Sequence, residues 1–140
     1  HHWARRAPTP RIFANIEKER RMITERKEAC ATLPRAEVIA RLNDALRKRG
    51  RGGVLTITLG VRTLPGFVPE KLLAALADYD AFDADNDPHG ERDFGDLEHC
   101  GADLLWKVDY YDASLEFGSD DPADPEVTKR ILTVMLASEY

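Results

Sequence analysis

Hydrophobic and polar residues alternate along the stretch Asp103–Gly118, and this alternation predicts the central β-strand of the protein. Leu104, Trp106, Val108 and Tyr110 occupy every second position. A period of two places them on one face of a strand, and aromatic and β-branched side chains suit a half-buried sheet surface. We therefore expect this stretch to lie at the centre of a small sheet.

Three further segments show a similar pattern. A second short strand is predicted over residues 113–117, with Leu115 and Phe117 on its apolar face. The runs Val54–Val61 and Asp93–His99 are also predicted to be strands, because their apolar residues alternate between turn-forming segments. Three consecutive strands with short connections favour antiparallel pairing.

Apolar residues recur every three or four positions in three other segments, and this spacing predicts amphipathic helices. The predicted helices are Pro34–Arg49, Pro69–Tyr79 and Pro125–Glu139. Each begins at a proline, which suits the first turn because its missing N–H would have no helical partner there. Together the elements predict an α+β domain over residues 32–140, with a small antiparallel sheet of about four strands and helices packed on one face.

Residues 1–31 are predicted to form a basic arm and a charged helix that precede the domain. Within the helix, Ile16–Ala31, the apolar residues Ile16, Ile23 and Cys30 fall seven positions apart. This seam is thin, and so polar a helix needs a surface to pack on. A second copy of the chain is one such surface, so the seam favours a homodimer as one option.

Charge is distributed unevenly along the 140 residues, whose net charge is −5. Residues 1–52 carry a balance of +8, and residues 53–140 carry −13. Such polarity indicates two partners or an internal electrostatic contact. The chain has two cysteines, no signal peptide and no apolar run that could span a bilayer, so we expect a cytoplasmic protein without a membrane partner.

The segment Asp83–Asp93 places oxygen-bearing side chains at alternate positions, a pattern typical of loops that bind Ca²⁺ or Mg²⁺. It departs from an EF-hand, because Pro88 and Phe94 occupy the positions of the required glycine and glutamate. The competing interpretation is an acidic turn whose side chains hydrogen-bond their own backbone, and we expect no cofactor. The alternative is a metal-dependent hydrolase that uses Asp83, Asp85, Asp87, His89 and Glu91.

The acidic half of the chain favours a non-enzymatic interaction module that binds a basic host protein. In one form of this hypothesis, the acidic surface mimics nucleic acid. The predicted partner-binding residues are Asp83, Asp85, Asp87, Glu91, Asp93, Asp120, Asp121 and Asp124. A second hypothesis is a nucleic-acid-binding regulator that acts through the basic N-terminal helices. Its candidate residues are Arg20, Arg21, Arg26, Lys27, Arg47, Lys48, Arg49 and Arg51.

Four sequence motifs in the domain are specific in combination. They are DNDPHGERDFG at 85–95, WKVDYYD at 106–112, GSDDPADP at 118–125 and ILTVMLASEY at 131–140. The chain resembles, over about residues 42–140, the uncharacterised bacterial family called domain of unknown function 3768. The resemblance implies a small, single-domain cytoplasmic protein, often carried on plasmids and other mobile elements. It transfers no catalytic residue, and it implies an accessory role such as blunting host defences or regulating transfer. Together with the acidic half of the chain, this context favours an inhibitor of a host defence nuclease or restriction-type complex.

Overall fold

A computed structural model describes residues 33–140, and its elements follow the chain in the order α-β-α-α-β-β-β. The predicted arm and helix over residues 1–31 lie outside the described residues. The elements are α1 Arg35–Arg49, β1 Gly53–Ile57, α2 Leu59–Arg62, α3 Pro69–Asp78, β2 Phe94–His99, β3 Ala102–Tyr111 and β4 Lys129–Leu136. A short 3-10 helix, Ala137–Glu139, follows β4.

The four strands form one sheet in the order β1-β4-β3-β2. The strands β2, β3 and β4 pair in antiparallel fashion, whereas β1 runs parallel to β4. The predicted α+β domain with a small four-stranded sheet is thus confirmed, with the difference that the sheet is mixed. Parallel strands cannot be joined by a hairpin, and here the whole of the intervening chain connects β1 to β4.

The hydrophobic core lies on one face of the sheet. Leu104, Trp106, Val108 and Tyr110 are all fully buried, which confirms the predicted face of the central strand. The helices α1 and α3 cover this face, and their residues in the same core cluster are Val38, Ile39, Leu46, Leu72 and Leu76. The side chains on the opposite face of the sheet, which we call the open face, point away from these helices.

The predicted C-terminal helix is wrong, because residues 129–136 form the strand β4. Arg130, Leu132 and Val134 are buried and alternate with half-buried residues, which is the period of a strand. The apolar residues of this run fit a helical period equally well. Ladder partners decide between the two: β4 pairs with β1 on one side and β3 on the other, and this pairing satisfies its backbone groups.

Two other predictions need correction. Residues 113–117 form a turn and not a strand, and they expose Leu115 and Phe117. The Asp112 carboxylate shapes this turn by accepting hydrogen bonds from the Ser114 N–H and hydroxyl, as Asp often does where the chain reverses. The strand predicted over Val54–Val61 ends at residue 57, and the chain then forms the short helix α2.

Within residues 33–140, no helix is both long enough and apolar enough to cross a membrane.

Candidate functional site

One of the predicted partner-binding residues, Glu91, lies in a buried hydrogen-bond network. Its side chain is 5 % exposed, and its carboxylate accepts a hydrogen bond from the Tyr110 hydroxyl at 2.9 Å. The Asn43 amide donates to the Tyr110 oxygen at 2.8 Å, and Arg130 Nε donates to the Asn43 oxygen at 3.0 Å. Burial and the negative charge of Glu91 raise the pKa of Tyr110. This network joins α1, β3 and β4, so Glu91 supports the fold and is not available at the surface.

The second acidic loop, which contains Asp120, Asp121 and Asp124, also has both buried and exposed carboxylates. Asp121 is buried, and its carboxylate lies 3.1 Å from the guanidinium of Arg35. Asp124 is half-buried and accepts a hydrogen bond from the Glu126 N–H, whereas Asp120 is exposed. Of the three predicted carboxylates in this loop, Asp120 is therefore the one that a partner protein can reach most easily.

Two carboxylates of the first acidic loop, those of Asp83 and Asp87, accept hydrogen bonds from backbone N–H groups of the same loop. Asp83 accepts hydrogen bonds from the N–H groups of Asp85 and Asn86, both at 2.9 Å, and Asp87 accepts one from the Arg92 N–H at 3.1 Å. These contacts are those of an Asx-type turn. No group of three or more His, Cys, Asp or Glu side chains within residues 33–140 is arranged to hold a metal ion.

Asp93 carries a perturbed carboxyl group. Burial raises its pKa, and the nearby charge of Asp87 adds to this effect. The native state thus binds the proton more tightly than the unfolded state, and stability falls as the pH rises from the ordinary value of Asp towards the raised native value. We therefore expect Asp93→Asn to increase the free energy of unfolding at neutral pH.

The gain from Asp93→Asn should shrink in acid, below the ordinary pKa of Asp, because the wild-type carboxyl is then protonated in both states. Urea unfolding at neutral and acidic pH measures the difference. Asp85→Asn, at an exposed position of the same loop, is the control and should change stability little at either pH. A loss of stability in Asp93→Asn at neutral pH would contradict the prediction.

The predicted nucleic-acid-binding residues are also divided by the structure. Arg20, Arg21, Arg26 and Lys27 lie outside the described residues. Arg47 is 3 % exposed, and its guanidinium donates to the carbonyl oxygens of Leu76 and Tyr79 at 2.9 and 2.8 Å. Lys48, Arg49 and Arg51 are exposed at the end of α1 and in the turn that follows it.

A cleft of about 390 Å³ lies at the outer end of the β2–β3 hairpin. Three carboxylates line it, from Asp96 and Glu98 in β2 and from Asp103 in β3, and all three residues are exposed. The other lining residues are Leu97, Leu104, Leu105 and Ala137. We call this feature the acidic cleft; its volume falls in the range of ordinary ligand sites.

The three carboxylates of the acidic cleft concentrate negative charge at this end of the sheet. Glu98 and Asp103 lie directly opposite each other across the ladder, where like charges are destabilising. Among the ion pairs of residues 33–140, none involves a carboxylate of this cleft.

A separate group of ion pairs lies at α1, where the guanidinium of Arg92 pairs with the carboxylates of Glu37 and Asp44. Although burial alone would raise the pKa of Glu37, its hydrogen bonds with Arg92 and Arg41 lower it.

A second cleft, of about 400 Å³, lies on the open face. Lys107 and Asp109 form an ion pair there, and their side chains are 30 % and 14 % exposed. Tyr140 closes one end, where its ring meets that of Phe94 edge to face with the centroids 5.9 Å apart. The remaining lining residues are Met135 and Glu139. This cleft therefore offers charges of both signs beside an aromatic ring.

Comparison with known protein families places the chain in a family. Residues 57–139 match the family described as Protein of unknown function (DUF3768). The chain belongs to this family. The comparisons with curated proteins and with solved structures found no match.

The part of the chain that matches DUF3768 contains every residue that lines the acidic cleft and all but Tyr140 of those that line the second cleft, and it includes none of α1. The match confirms the family predicted from the sequence motifs, but the sequence did not predict the acidic cleft. One signal was available, because Asp96 and Glu98 stand two positions apart in a predicted strand. The third carboxylate, Asp103, joins them through the register of the hairpin, which the sequence does not show.

Proposed function

We propose that this member of DUF3768 is a protein-interaction module that binds a basic segment of a partner protein in the acidic cleft. The observation that carries this proposal is the group of three exposed carboxylates, which form no ion pair with residues 33–140 and lie beside the apolar residues Leu105 and Ala137. Carboxylates arranged in this way favour Lys or Arg side chains, and electrostatic complementarity of this kind sets partner choice and encounter rate.

The position of the cleft at the sheet edge supports an extended ligand. β2 is the last strand at its side of the four-stranded sheet, and an edge strand can pair with an added peptide strand. Asp96 and Glu98 lie on the same face of β2, so a peptide paired with it would place every second side chain beside one of them. The proposal therefore names a peptide with basic residues at alternate positions.

The test uses a fluorescent peptide in which arginine alternates with valine, and measures its binding to the full chain by anisotropy. The cleft variant is Asp96→Asn, Glu98→Gln and Asp103→Asn together. Since exposed ion pairs contribute about 0.2–1 kcal/mol each, we expect its affinity to fall by about 1–2 kcal/mol, or about 5- to 30-fold. Binding to the unmodified chain should weaken as salt is added.

The matched control removes the same number of charges elsewhere: Asp85→Asn, Asp120→Asn and Glu126→Gln, all at exposed positions. We expect this variant to bind the peptide nearly as well as the wild type. If the control lost binding and the cleft variant kept it, the binding surface would be the two acidic loops predicted from the sequence. Equal losses in both would indicate attraction by net charge alone and would overturn the proposal.

A nuclease or another nucleic-acid-binding protein would be complementary in charge to the acidic cleft, because the grooves that bind a phosphate backbone are basic. We therefore propose that the protein is a cytoplasmic accessory protein, carried on a mobile element, and that it inhibits a host defence complex. Purification of the tagged chain from its host at low and high salt, followed by mass spectrometry, tests this form. Capture of a basic nuclease subunit that depends on the cleft carboxylates would support it, and capture unaffected by the cleft variant would contradict it.

The second candidate function is nucleic-acid binding through the end of α1. The observation that favours it is the exposure of Lys48, Arg49 and Arg51, none of which forms an ion pair with residues 33–140. Replacement of all three by glutamine should weaken the binding of a labelled oligonucleotide and reduce its salt dependence by up to about three charges. An unchanged affinity would exclude these residues from such an interface.

A further inference from the structure

The open face of the sheet combines apolar and polar rows beyond the acidic cleft. Val54, which is 55 % exposed, lies beside Ile131, and Ile131 lies beside Asp109 in the neighbouring strand. In the next row the hydroxyls of Thr56 and Thr133 lie 3.2 Å apart. The helices α1 and α3 pack against the other face, so this surface suits an amphipathic segment that supplies apolar and cationic side chains.

The chain itself contains a segment of that chemistry. Residues 1–15 include no Asp or Glu. They contain the apolar residues Trp3, Ile12 and Phe13 and the cations Arg5, Arg6 and Arg11. Residues 33–140, by contrast, carry 12 Lys and Arg against 21 Asp and Glu, a balance of −9. The arm is therefore complementary in charge to the domain that follows it.

The point where the chain joins the domain decides which residues can reach the open face. Leu33 packs against the core, on the side of the sheet that α1 and α3 occupy, so the residues just before it start on that side. If residues 16–31 are helical, as the sequence predicts, they span about 24 Å. That length is close to the roughly 26 Å of an eight-residue strand, and it carries residues 1–15 far enough to pass around the sheet.

We propose that residues 1–15 of the same chain lie across the open face, with their apolar side chains on Val54 and Ile131 and their arginines towards the carboxylates of the domain. The surface involved lies beyond the acidic cleft, in the rows that contain Lys107 and Asp109. The inference therefore does not depend on the proposed function, and a basic partner protein is not required for it.

The test places a nitroxide label in the arm of the full chain, at Thr9→Cys with Cys30→Ser and Cys100→Ser. Methyl signals are then compared between the two faces of the sheet. We expect loss of intensity at Val54, Ile131 and Met135, and much less loss at Leu72 and Leu76 in α3. Unchanged shifts of the α3 methyls relative to the unlabelled chain show that the fold is retained.

Two controls make the result decisive. Trp3→Ser with Phe13→Ser should restore the open-face signals, whereas Ala4→Ser with Ala7→Ser should not. An isotopically mixed sample, in which the labelled chain is invisible to NMR, should show no loss. Loss concentrated on the α3 methyls, no loss at all, or equal loss in the mixed sample, which would assign the contact to a second copy, would each overturn the proposal.

Discussion

Arg130→Ala is expected to lower the free energy of unfolding by about 3–5 kcal/mol, because a buried hydrogen bond to a charged group contributes about 1.5–3 kcal/mol. Arg130 is 2 % exposed. Its guanidinium donates hydrogen bonds to the Asn43 side chain and to the Pro122 carbonyl, and its Cζ lies 5.2 Å from the centre of the Tyr110 ring. Truncation leaves both acceptors buried without this donor and opens a cavity beneath the ring.

Urea unfolding followed by tryptophan fluorescence, to which the buried Trp106 contributes, measures this loss. The matched control is Lys129→Ala, one position earlier and exposed, which should change stability by less than about 0.5 kcal/mol. Arg130→Lys should fall between the two, since lysine retains the charge but lacks the planar fork that reaches two acceptors. Equal stability of the alanine variants at positions 129 and 130 would contradict the role of the network.

Arg47→Ala is expected to cost about 2–4 kcal/mol, because it removes a buried donor from several carbonyl groups at once. The guanidinium donates to Leu76, Ala77 and Tyr79 at the end of α3, at distances of 2.8–3.2 Å. Leu76 and Ala77 belong to the last turn of α3 and Tyr79 follows it, and the Leu76 carbonyl also accepts a hydrogen bond from the Tyr79 N–H. Arg47 also lies over the rings of Phe82 and Trp106, so it joins α1 to α3 and to the core.

The same variant separates a structural from a binding role. Thermal or urea unfolding should show the loss in Arg47→Ala and no comparable loss in the neighbouring Lys48→Ala, whose side chain is exposed. If nucleic acid is bound at this end of α1, the oligonucleotide affinity of folded protein should instead respond to Lys48. An Arg47→Ala protein of unchanged stability would show that α3 does not need this contact.

Local pattern predicted most of the elements correctly. It failed over residues 129–136, where two patterns fit the same residues, and over residues 113–117, where the Asp112 carboxylate shapes a turn. The helices α1 and α3 follow from one apolar stripe each, with proline at the start and, for α1, Gly50 at the end in the left-handed conformation. The residues of β4 fit both a helical and a strand period. Its identity depends on β1 and β3, which lie far away in the sequence and supply partners on both sides.

The predicted sites were incomplete for a related reason. Charge counts treat Glu91, Asp121 and Arg47 as equal to exposed residues, yet all three are buried and hydrogen-bonded. Whether a carboxylate faces a partner or the core depends on which arginine or tyrosine folding brings to it. Such contacts join residues as far apart in the chain as Arg35 and Asp121.

The sequence by itself determined the family, the α+β class, the core face of the central strand and the uneven distribution of charge. These properties depend on residue identity and on short-range period, which a single chain displays directly. The tertiary structure alone decided the parallel pairing of β1 with β4, the buried network around Arg130 and the acidic cleft. Each of these requires the register between separate strands, and register is set by the packing of the whole domain.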